Sequence, residues 1–448
     1  MSTVFLAGKT FPLNVRDGDT NVVIFAIFYC IIDFVVLYCF RQSRKGNRKM
    51  ALTLSNKAKA VKPSSTLAIT AKAKEMKAEG IDVVGFGAGE PDFNTPDNVC
   101  NAAVDAIKNG FTKYTPASGT VELKKAICKK FKDFNHLNYE PNQIVVSNGG
   151  KHSLSNVFDA ILNPGDEVII LAPYWLSYPE MVKLSDGVPV FVYTDKAQHY
   201  KATAEQIQKA ITPKTKALVL NSPSNPTGMI YTEEEMRAIA DVVVKNDIYV
   251  VADEMYEYLI YGDEKHYSIA SFNDEIYKRT ITCSGLSKSY SMTGWRIGYT
   301  GASVEITKLM SSIQSHATSN PNSIAQKAAL EALSGQQDDV EKMKTEFNKR
   351  RIYMYETVSK MPYVSAIEPK GAFYLFVDAS EALDKEYKGE KIETTGRLAD
   401  ILLSDYAVAI VPCADFGYPE CFRLSYAISI EQIQKGLGRI EEFLKGLK

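Results

Sequence analysis

Short apolar segments alternate with longer helical patterns between residue 96 and about residue 337. Seven of these segments predict strands, at residues 143–147, 167–172, 188–193, 217–221, 248–252, 279–283 and 296–300. A helix is predicted between two of them, over residues 233–246, with Thr232 as its N-cap. Strands that alternate with helices predict an α/β fold with a mostly parallel, seven-stranded sheet. Such sheets bind ligands beyond the carboxyl ends of their strands, so the residues that follow each strand are the first functional candidates.

The pattern changes beyond about residue 337. A long charged helix is predicted over residues 338–360, followed by a strand-like segment at 371–378, a helix near 395–405 and a last helix from Ile430. This order predicts a second, smaller α+β lobe, which residues 60–95 are expected to join because they precede the first helix of the large lobe. The expected organisation is one domain over residues 50–448, with a large lobe at about 96–337 and a small lobe at about 60–95 and 338–448.

The first 49 residues differ in composition from the rest. Residues 22–40 contain nineteen positions with a single charged residue, Asp33. A helix of that length spans about 28 Å, close to the thickness of a bilayer core, so this segment is a candidate membrane anchor. Five basic residues between 41 and 49 would keep the following domain on the cytoplasmic side. The alternative is a natural start at Met50 with a dispensable or mistakenly translated extension, and a cytoplasmic domain is expected in either case.

Composition narrows the chemistry that the domain can use. The 448 residues carry a formal net charge of −1, which gives no general attraction to nucleic acid or to an anionic membrane. The seven cysteines form no C-x-x-C pair and the five histidines are scattered, so neither a disulfide framework nor a metal site is expected. An organic cofactor or unassisted side chains remain as the source of chemistry.

Four of the predicted strands are followed by chemically distinctive residues. These are Trp175, Asn225, Asp253 with Tyr256, and the segment SGLSKSYSMTGWRIG at 284–298. The last segment, which contains Lys288 and Arg296, resembles the pyridoxal-phosphate attachment signature of class I aminotransferases at every defined position. The segments at 62–64, 87–91, 174–179 and 371–374 resemble the bacterial-type aspartate and aspartate/prephenate aminotransferases.

The resemblance covers essentially all of residues 50–448 and implies a fold-type I pyridoxal-phosphate transferase. It also implies pyridoxal 5′-phosphate as the cofactor, a homodimer, and amino acids and 2-oxo acids as ligands. The implied reaction is reversible transfer of the amino group from L-aspartate to 2-oxoglutarate by ping-pong kinetics. An aspartate/prephenate aminotransferase, another amino-donor transaminase and a β-lyase stay open as alternatives.

The resemblance implies a role for each residue around the cofactor ring. In the family the lysine that matches Lys288 holds the cofactor and moves the substrate Cα proton, and the small and apolar neighbours of Lys288 suit an amine that must lose its proton. Asp253 follows an apolar strand, and a buried carboxylate there would keep the pyridine nitrogen protonated. Tyr256 and Asn225 would hydrogen-bond the phenolic oxygen, and Trp175 would stack on the ring. Trp175 and Asn225 are also expected to border the substrate.

The resemblance also implies a phosphate site. Gly149, Gly150 and Lys151 lie between a strand and a helix, where backbone N–H groups bind anions. Arg296 resembles the phosphate-binding arginine of the family. Tyr114 resembles the tyrosine that reaches the phosphate of the neighbouring subunit, which would place the active site at a dimer interface.

The substrate contacts are implied in the same way. Arg423, helped by the backbone N–H of Gly89, would bind the α-carboxylate with its planar fork. Another aspartate aminotransferase subgroup binds the distal carboxylate with an arginine just past the lysine segment, but no arginine occurs at positions 297–349. In the subgroup resembled here, the lysine that matches Lys151 has this role, with hydroxyls near residues 64 and 66.

Two other classes of protein are disfavoured. The G-x-G-x-G at positions 85–89 is similar to a dinucleotide-binding loop, but the third glycine of G-x-G-x-x-G would stand at position 90, which is Glu90. A non-catalytic, membrane-tethered scaffold would have no need for the full catalytic set of Lys288, Asp253, Tyr256, Arg296 and Arg423.

A chain that starts at Met50 is expected to be soluble, dimeric and fully active, because every assigned residue lies beyond that position. Steady-state transamination and analytical ultracentrifugation of the truncated and full-length chains check this. Membrane fractionation of the full-length protein separates the two interpretations of residues 22–40, since an anchor predicts recovery with the membranes. An insoluble or inactive truncated chain would show that residues 1–49 belong to the fold.

Overall fold

The computed structural model describes residues 2–6, 9–13, 52–63 and 65–448. The chain divides into two units, residues 1–56 and 57–448. In the first unit, strands β1 (Ser2–Leu6) and β2 (Lys9–Leu13) form an antiparallel hairpin. The candidate anchor at residues 22–40 lies outside the described residues, and none of the described helices is long and apolar enough to cross a membrane.

The rest of the described chain alternates strands and helices. The strands are β3 (Val84–Gly85), β4 (Ile144–Ser147), β5 (Glu167–Ala172), β6 (Val188–Tyr193), β7 (Thr215–Asn221), β8 (Tyr249–Asp253), β9 (Thr280–Gly285), β10 (Gly298–Gly301), β11 (Ser365–Ala366), β12 (Tyr374–Asp378), β13 (Glu386–Tyr387), β14 (Glu390–Lys391), β15 (Val408–Ala409), β16 (Val411–Pro412) and β17 (Cys421–Ser425). The helices are α1 (Asn56–Lys59), α2 (Ser65–Ala78), α3 (Asp97–Lys108), α4 (Val121–Asn135), α5 (Gly150–Ile161), α6 (Ser177–Leu184), α7 (Ala204–Ala210), α8 (Glu233–Asn246), α9 (Asp274–Arg279), α10 (Val304–Ala317), α11 (Ser323–Ser334), α12 (Asp338–Val358), α13 (Thr395–Tyr406) and α14 (Ile430–Lys445).

Seven strands form the large sheet, in the order β4-β10-β9-β8-β7-β5-β6. The neighbours from β9 to β6 run parallel, and β10 runs antiparallel to both β4 and β9. Every residue of β4, β9 and β10 is buried, as in sheets that are covered on both faces. The predicted α/β fold with a mostly parallel sheet is confirmed. Because the strands from β9 to β6 are parallel, the residues that follow them lie along one edge of the sheet.

All seven strands occur within two residues of their predicted bounds. The predicted helix at 233–246 matches α8, and the Thr232 side chain accepts a hydrogen bond from the Glu235 N–H, as an N-cap does. The strand predicted at 296–300 begins only at Gly298. Arg296 has a φ of 57°, and this left-handed conformation cannot continue a strand.

A second sheet is antiparallel, in the order β11-β12-β17-β16. Helix α12 packs on β12, and α14 packs on α12. Helix α14 buries apolar residues at helical spacing, including Ile433, Leu437, Ile440 and Leu444. Residues 57–448 form one compact unit, and the division into a large lobe and a small lobe stays a prediction.

A buried polar network lies beside the end of β8. The Lys130 ammonium pairs with Glu257 and donates a hydrogen bond to Asn135 Oδ1 at 2.8 Å. The Asn135 amide donates to Glu254 at 2.9 Å and to Glu257 at 2.7 Å. Burial acts to raise the pKa of Glu257, but Lys130 helps to hold it below its usual range. His266 Nε2 lies 3.1 Å from Glu254 Oε2. Glu254, Glu257 and His266 are close enough together to hold a metal ion, but the Lys130 ammonium already supplies positive charge to this cluster.

Replacing Lys130 with Met is expected to destabilise the fold by about 3–5 kcal/mol, because the Glu257 carboxylate would stay buried without its cation. Urea unfolding followed by circular dichroism measures this loss. Lys129→Met is the matched control, since the Lys129 side chain is 77% exposed and pairs with Asp133 on the same helix. The control should change the free energy of unfolding by less than about 1 kcal/mol. Equal losses for the two variants would contradict the buried pair.

Candidate active site

The carboxyl ends of β7, β8 and β9 border a cavity of about 370 Å³. Side chains from β12 and β17 of the second sheet also line it. Ten of the twelve site residues predicted from the sequence line this cavity: Gly89, Gly150, Lys151, Trp175, Asn225, Asp253, Tyr256, Lys288, Arg296 and Arg423. The strand-end residues therefore meet in one concave site of a size that suits a small ligand.

Lys288 lies three residues after β9, and its ammonium donates a hydrogen bond to the Gly89 carbonyl. Removal from water lowers the pKa of Lys288 to about 8, against the opposing effect of the Glu90 carboxylate. The positive charges of Arg423 and Arg296 lower it as well. A substantial fraction of this amine is therefore neutral near pH 8, and the neutral form is the one that attacks a carbonyl carbon or accepts a proton.

Asp253 is the last residue of β8 and is buried. Its Oδ2 accepts a hydrogen bond from the Tyr178 hydroxyl at 2.6 Å, and its Oδ1 accepts one from the Met255 N–H at 3.2 Å. Burial raises the pKa of Asp253 to about 6, although both hydrogen bonds act to lower it. In the described part of the chain, no cationic side chain lies within salt-bridge distance of this carboxylate. A cationic ligand atom would stabilise its charged form.

Arg423 lies on β17 and is 2% exposed. Its Nη1 donates to Asn225 Oδ1 at 2.8 Å, and its Nη2 donates to the Gly87 carbonyl at 3.4 Å. Among the described residues, its buried Nε has no hydrogen-bond partner. Asn225 is held in turn by Asn221, whose Oδ1 accepts a hydrogen bond from the Asn225 N–H at 2.9 Å. The site therefore presents a buried guanidinium with unused donor capacity, which a carboxylate ligand would satisfy.

Gly149, which precedes the first residue of α5, lies against Arg296. Gly149 has a φ of 87°, which strains any other residue, and a Cβ at this position would lie 2.3 Å from Arg296 Nη2, so the guanidinium would have to move. Arg296 Nη1 donates to the Thr293 carbonyl at 3.0 Å. The backbone N–H groups at the start of α5, the helix dipole and the guanidinium together make this corner a candidate anion site beside the cavity.

Lys151 and Trp175 border the cavity as a pair, with Lys151 Nζ 5.0 Å from the centre of the indole ring. Burial and then the charge of Arg296 lower the pKa of Lys151. Thr66 lines the same cavity, and among the described residues its buried hydroxyl has no partner. The pair and the hydroxyl are available to an anionic group of a ligand. Ser64, the other hydroxyl expected from the sequence, lies outside the described residues.

Comparison with known proteins decides the family. The sequence model of the family described as "Aminotransferase class I and II" matches residues 81–440, which is most of the chain. This chain belongs to that family. The aspartate aminotransferase of Bacillus sp. (strain YM-2) is 50% identical over 392 residues, which cover 88% of this chain and 99% of that protein. The probable aspartate/prephenate aminotransferase of Rhizobium leguminosarum bv. phaseoli is 47% identical over 390 residues, which cover 87% of this chain and 98% of that protein.

Solved structures share the fold of this aminotransferase. The aspartate aminotransferase from Rhizobium meliloti has a TM-score of 0.86 at 40% identity and covers 89% of this chain and 100% of its own. The aspartate aminotransferase from Thermus thermophilus with maleate has a TM-score of 0.83 at 42% identity and covers 88% of this chain and 100% of its own. The resemblance found in the sequence is confirmed, and the chain is an enzyme of the transaminase class.

Two predicted residues of the aminotransferase do not line the cavity. Gly149 lies against the Arg296 guanidinium, and it shapes the anion site through the absence of a side chain. Tyr114 is 90% exposed in the single chain. Its assigned role requires a neighbouring subunit and stays a prediction.

Several residues that line the aminotransferase cavity were not predicted from the sequence, and three of them make polar contacts in the site. Tyr178 holds the Asp253 carboxyl, Asn221 Nδ2 donates to the Asp253 carbonyl at 2.9 Å, and Tyr374 lines the wall beside β12. Asn221 could have been found, because it is a polar residue at the end of a predicted strand. The partners of Tyr178 and Tyr374 lie 75 and 118 residues away in the chain, and a single sequence carries no signal for such pairs.

Proposed function

We propose that this aminotransferase is an aspartate aminotransferase that uses pyridoxal 5′-phosphate and works as a homodimer. It transfers the amino group of L-aspartate to 2-oxoglutarate by ping-pong kinetics. The observation that carries the proposal is the meeting of Lys288, Asp253, Arg296, Arg423 and Lys151 around one cavity. The names of relatives at 48–50% identity support aspartate as the amino donor.

The residues around the cavity fit this cofactor. A protonated pyridine nitrogen is the cationic partner that the buried Asp253 carboxylate lacks among the described side chains, and a phosphate matches the anion site at Gly149 and Arg296. When bound, the cofactor supplies an electron-withdrawing ring next to the substrate Cα. The residues that would hold it are Lys288 at the aldehyde, Asp253 at the ring nitrogen, Tyr256 and Asn225 at the ring oxygen, and Trp175 on the ring face. At the phosphate they would be the backbone N–H groups of Gly150 and Lys151 together with the Arg296 guanidinium.

Arg423 and Lys288 perform the steps on the substrate. Arg423 binds the α-carboxylate together with the Gly89 N–H, and the hydrogen bond from Arg423 to Asn225 fixes the direction of the fork. Lys288, which is neutral to a substantial extent near pH 8, then takes the proton from Cα. The distal carboxylate of aspartate would be a costly unpaired charge in this cavity without a cation, and Lys151 supplies one.

An aspartate/prephenate aminotransferase is the second candidate, because several relatives carry that name. Prephenate as an amino acceptor, assayed beside 2-oxoglutarate with aspartate as donor, separates the two. Elimination from a β-substituted amino acid in the same screen tests a β-lyase. The cytoplasmic location and the membrane anchor at residues 22–40 stay predictions.

Replacing Lys151 with Ser is expected to lower kcat/KM for aspartate by about ten- to a hundredfold, because a charge-assisted contact contributes roughly 1.5–3 kcal/mol. Activity on phenylalanine, which has no second carboxylate, should change little. Steady-state kinetics with both donors measure the difference.

Lys216→Ser is the matched control for this substitution. Lys216 Nζ also lies over an aromatic ring, 5.7 Å from the centre of Tyr249, but Lys216 does not line the cavity. The control should leave both activities unchanged. An equal loss for aspartate and phenylalanine in Lys151→Ser would indicate a role at the cofactor phosphate instead, and no loss for aspartate would remove Lys151 from the site.

The homodimer is tested by mixing subunits. If Tyr114 serves the site of the neighbouring subunit, a dimer of one Tyr114→Phe chain and one Lys288→Ala chain contains one site with both residues intact. The mixture should therefore be more active than either variant alone. Tyr193→Phe, an exposed tyrosine elsewhere on the surface, is the control for the substitution itself. No gain after verified subunit exchange would mean that Tyr114 does not act across the interface.

A further inference from the structure

Tyr374 connects two parts of the site. It is the first residue of β12, is 1% exposed and lines the cavity. The guanidinium carbon of Arg423 lies 4.2 Å from the centre of its ring. Its hydroxyl oxygen lies 3.0 Å from the hydroxyl oxygen of Tyr256, which is hydrogen-bond distance. One side chain therefore touches both the arginine assigned to the α-carboxylate and a tyrosine assigned to the cofactor.

The ring of Tyr374 restricts Arg423. A guanidinium at 4.2 Å from a ring centre is held by a cation–π interaction, which is strongest where water is excluded, as it is here. Phe416 adds a second ring, with its centre 5.4 Å from the same carbon. The hydrogen bond to Asn225 restricts one end of the fork. The aromatic support and this hydrogen bond together leave the guanidinium little freedom before the substrate arrives.

The hydroxyl of Tyr374 acts on Tyr256. Burial raises the pKa of both hydroxyls, so both keep their protons at neutral pH. Each hydroxyl has one proton, so only one of the two can donate in their shared hydrogen bond. The positive charge of Arg423 acts on both hydroxyls, but it is stacked on the Tyr374 ring, which makes the Tyr374 hydroxyl the better donor. When Tyr374 donates, the Tyr256 proton is free for an acceptor in the cavity.

We propose that Tyr374 is a positioning residue for two parts of the site, the one that binds the substrate α-carboxylate and the one that binds the cofactor ring. Its ring orients Arg423 toward the α-carboxylate, and its hydroxyl donates to Tyr256, so that Tyr256 donates to the ring oxygen of the cofactor. The inference rests on the proposed function, which assigns the ligands of Arg423 and Tyr256. Different atoms of Tyr374 make the two contacts, so two substitutions separate them.

Tyr374→Phe removes the hydroxyl and keeps the ring. In the holoenzyme, the pH midpoint of the visible absorption of the cofactor should rise by about 0.4 to 1 pH unit, which corresponds to one hydrogen bond. The reason is that a weaker donor at Tyr256 stabilises the negative ring oxygen less, which favours the protonated form of the chromophore. Binding of maleate, a dicarboxylate that reports on Arg423 without turnover, should change by less than about twofold, because the ring still supports the guanidinium.

Tyr374→Leu removes the ring as well. Kd for maleate and KM for aspartate should then rise by about 3- to 30-fold, the equivalent of a desolvated cation–π contact. The pH midpoint should move as far as it does in Tyr374→Phe, since both variants lack the hydroxyl. Circular dichroism establishes that each variant is folded, and the Phe variant decides the proposal if the Leu variant does not fold.

Tyr261→Phe is the matched control. Tyr261 is buried in the same apolar cluster as Tyr374, but its hydroxyl donates to the Ala372 carbonyl and does not line the cavity. This variant should leave both the pH midpoint and maleate binding as in wild type. A midpoint within about 0.2 pH unit of wild type in Tyr374→Phe overturns the proposal, as does equal weakening of maleate binding in the Phe and Leu variants. Failure of wild-type holoenzyme to transaminate aspartate would instead overturn the proposed function, before any variant is compared.

Discussion

Removal of ionisable groups from water at the ends of β8 and β9 is the constraint on which the site depends. Burial disfavours the charged form of a group, so it raises the pKa of the Asp253 carboxyl to about 6 and lowers that of the Lys288 ammonium to about 8. The hydrogen bond from Tyr178 offsets only part of the cost at Asp253. Burial therefore makes the Asp253 carboxylate favour a cationic partner and makes the Lys288 ammonium lose its proton more easily.

The turn after β8 shows how the fold tolerates so many acidic groups in its interior. Asp253 lines the cavity, whereas Glu254 and Glu257 belong to the buried network around Lys130. Lys130 lies on α4, 127 residues before its partner, so the network ties the turn to a distant helix. This network holds the turn rigid, and a rigid turn keeps the Asp253 carboxylate in one position toward a ligand in the cavity.

The side of the cavity that we propose for the substrate α-carboxylate is built from the second sheet. In the antiparallel pair β12–β17, Tyr374 stands opposite Ser425 and Phe376 stands opposite Arg423, and this register brings the Arg423 guanidinium close to the Tyr374 ring. Lys151 lies in the first turn of α5, which comes much earlier in the sequence than the strands of the second sheet. The two groups that we propose for the two carboxylates of aspartate, Arg423 and Lys151, therefore stand on separate elements. The packing of these elements sets the distance between the two groups.

Local features of this protein can be predicted from its sequence, because apolar periodicity and capping residues are recorded within a few positions. The seven strands, the helix Glu233–Asn246 and the residues just beyond each strand are of this kind, and the strand ends alone place Asn225, Asp253 and Lys288 at one edge of the sheet. The tertiary structure decides which buried polar groups meet. The sequence around Tyr178 or Tyr374 is the same whether the hydroxyl faces a carboxyl, another tyrosine or water. The space that the Arg296 guanidinium occupies likewise depends on Gly149, which lies far earlier in the chain. The polarity of each residue, which decides whether burial is favourable, can be read from the sequence. Its hydrogen-bond partner is decided only when distant segments pack against one another.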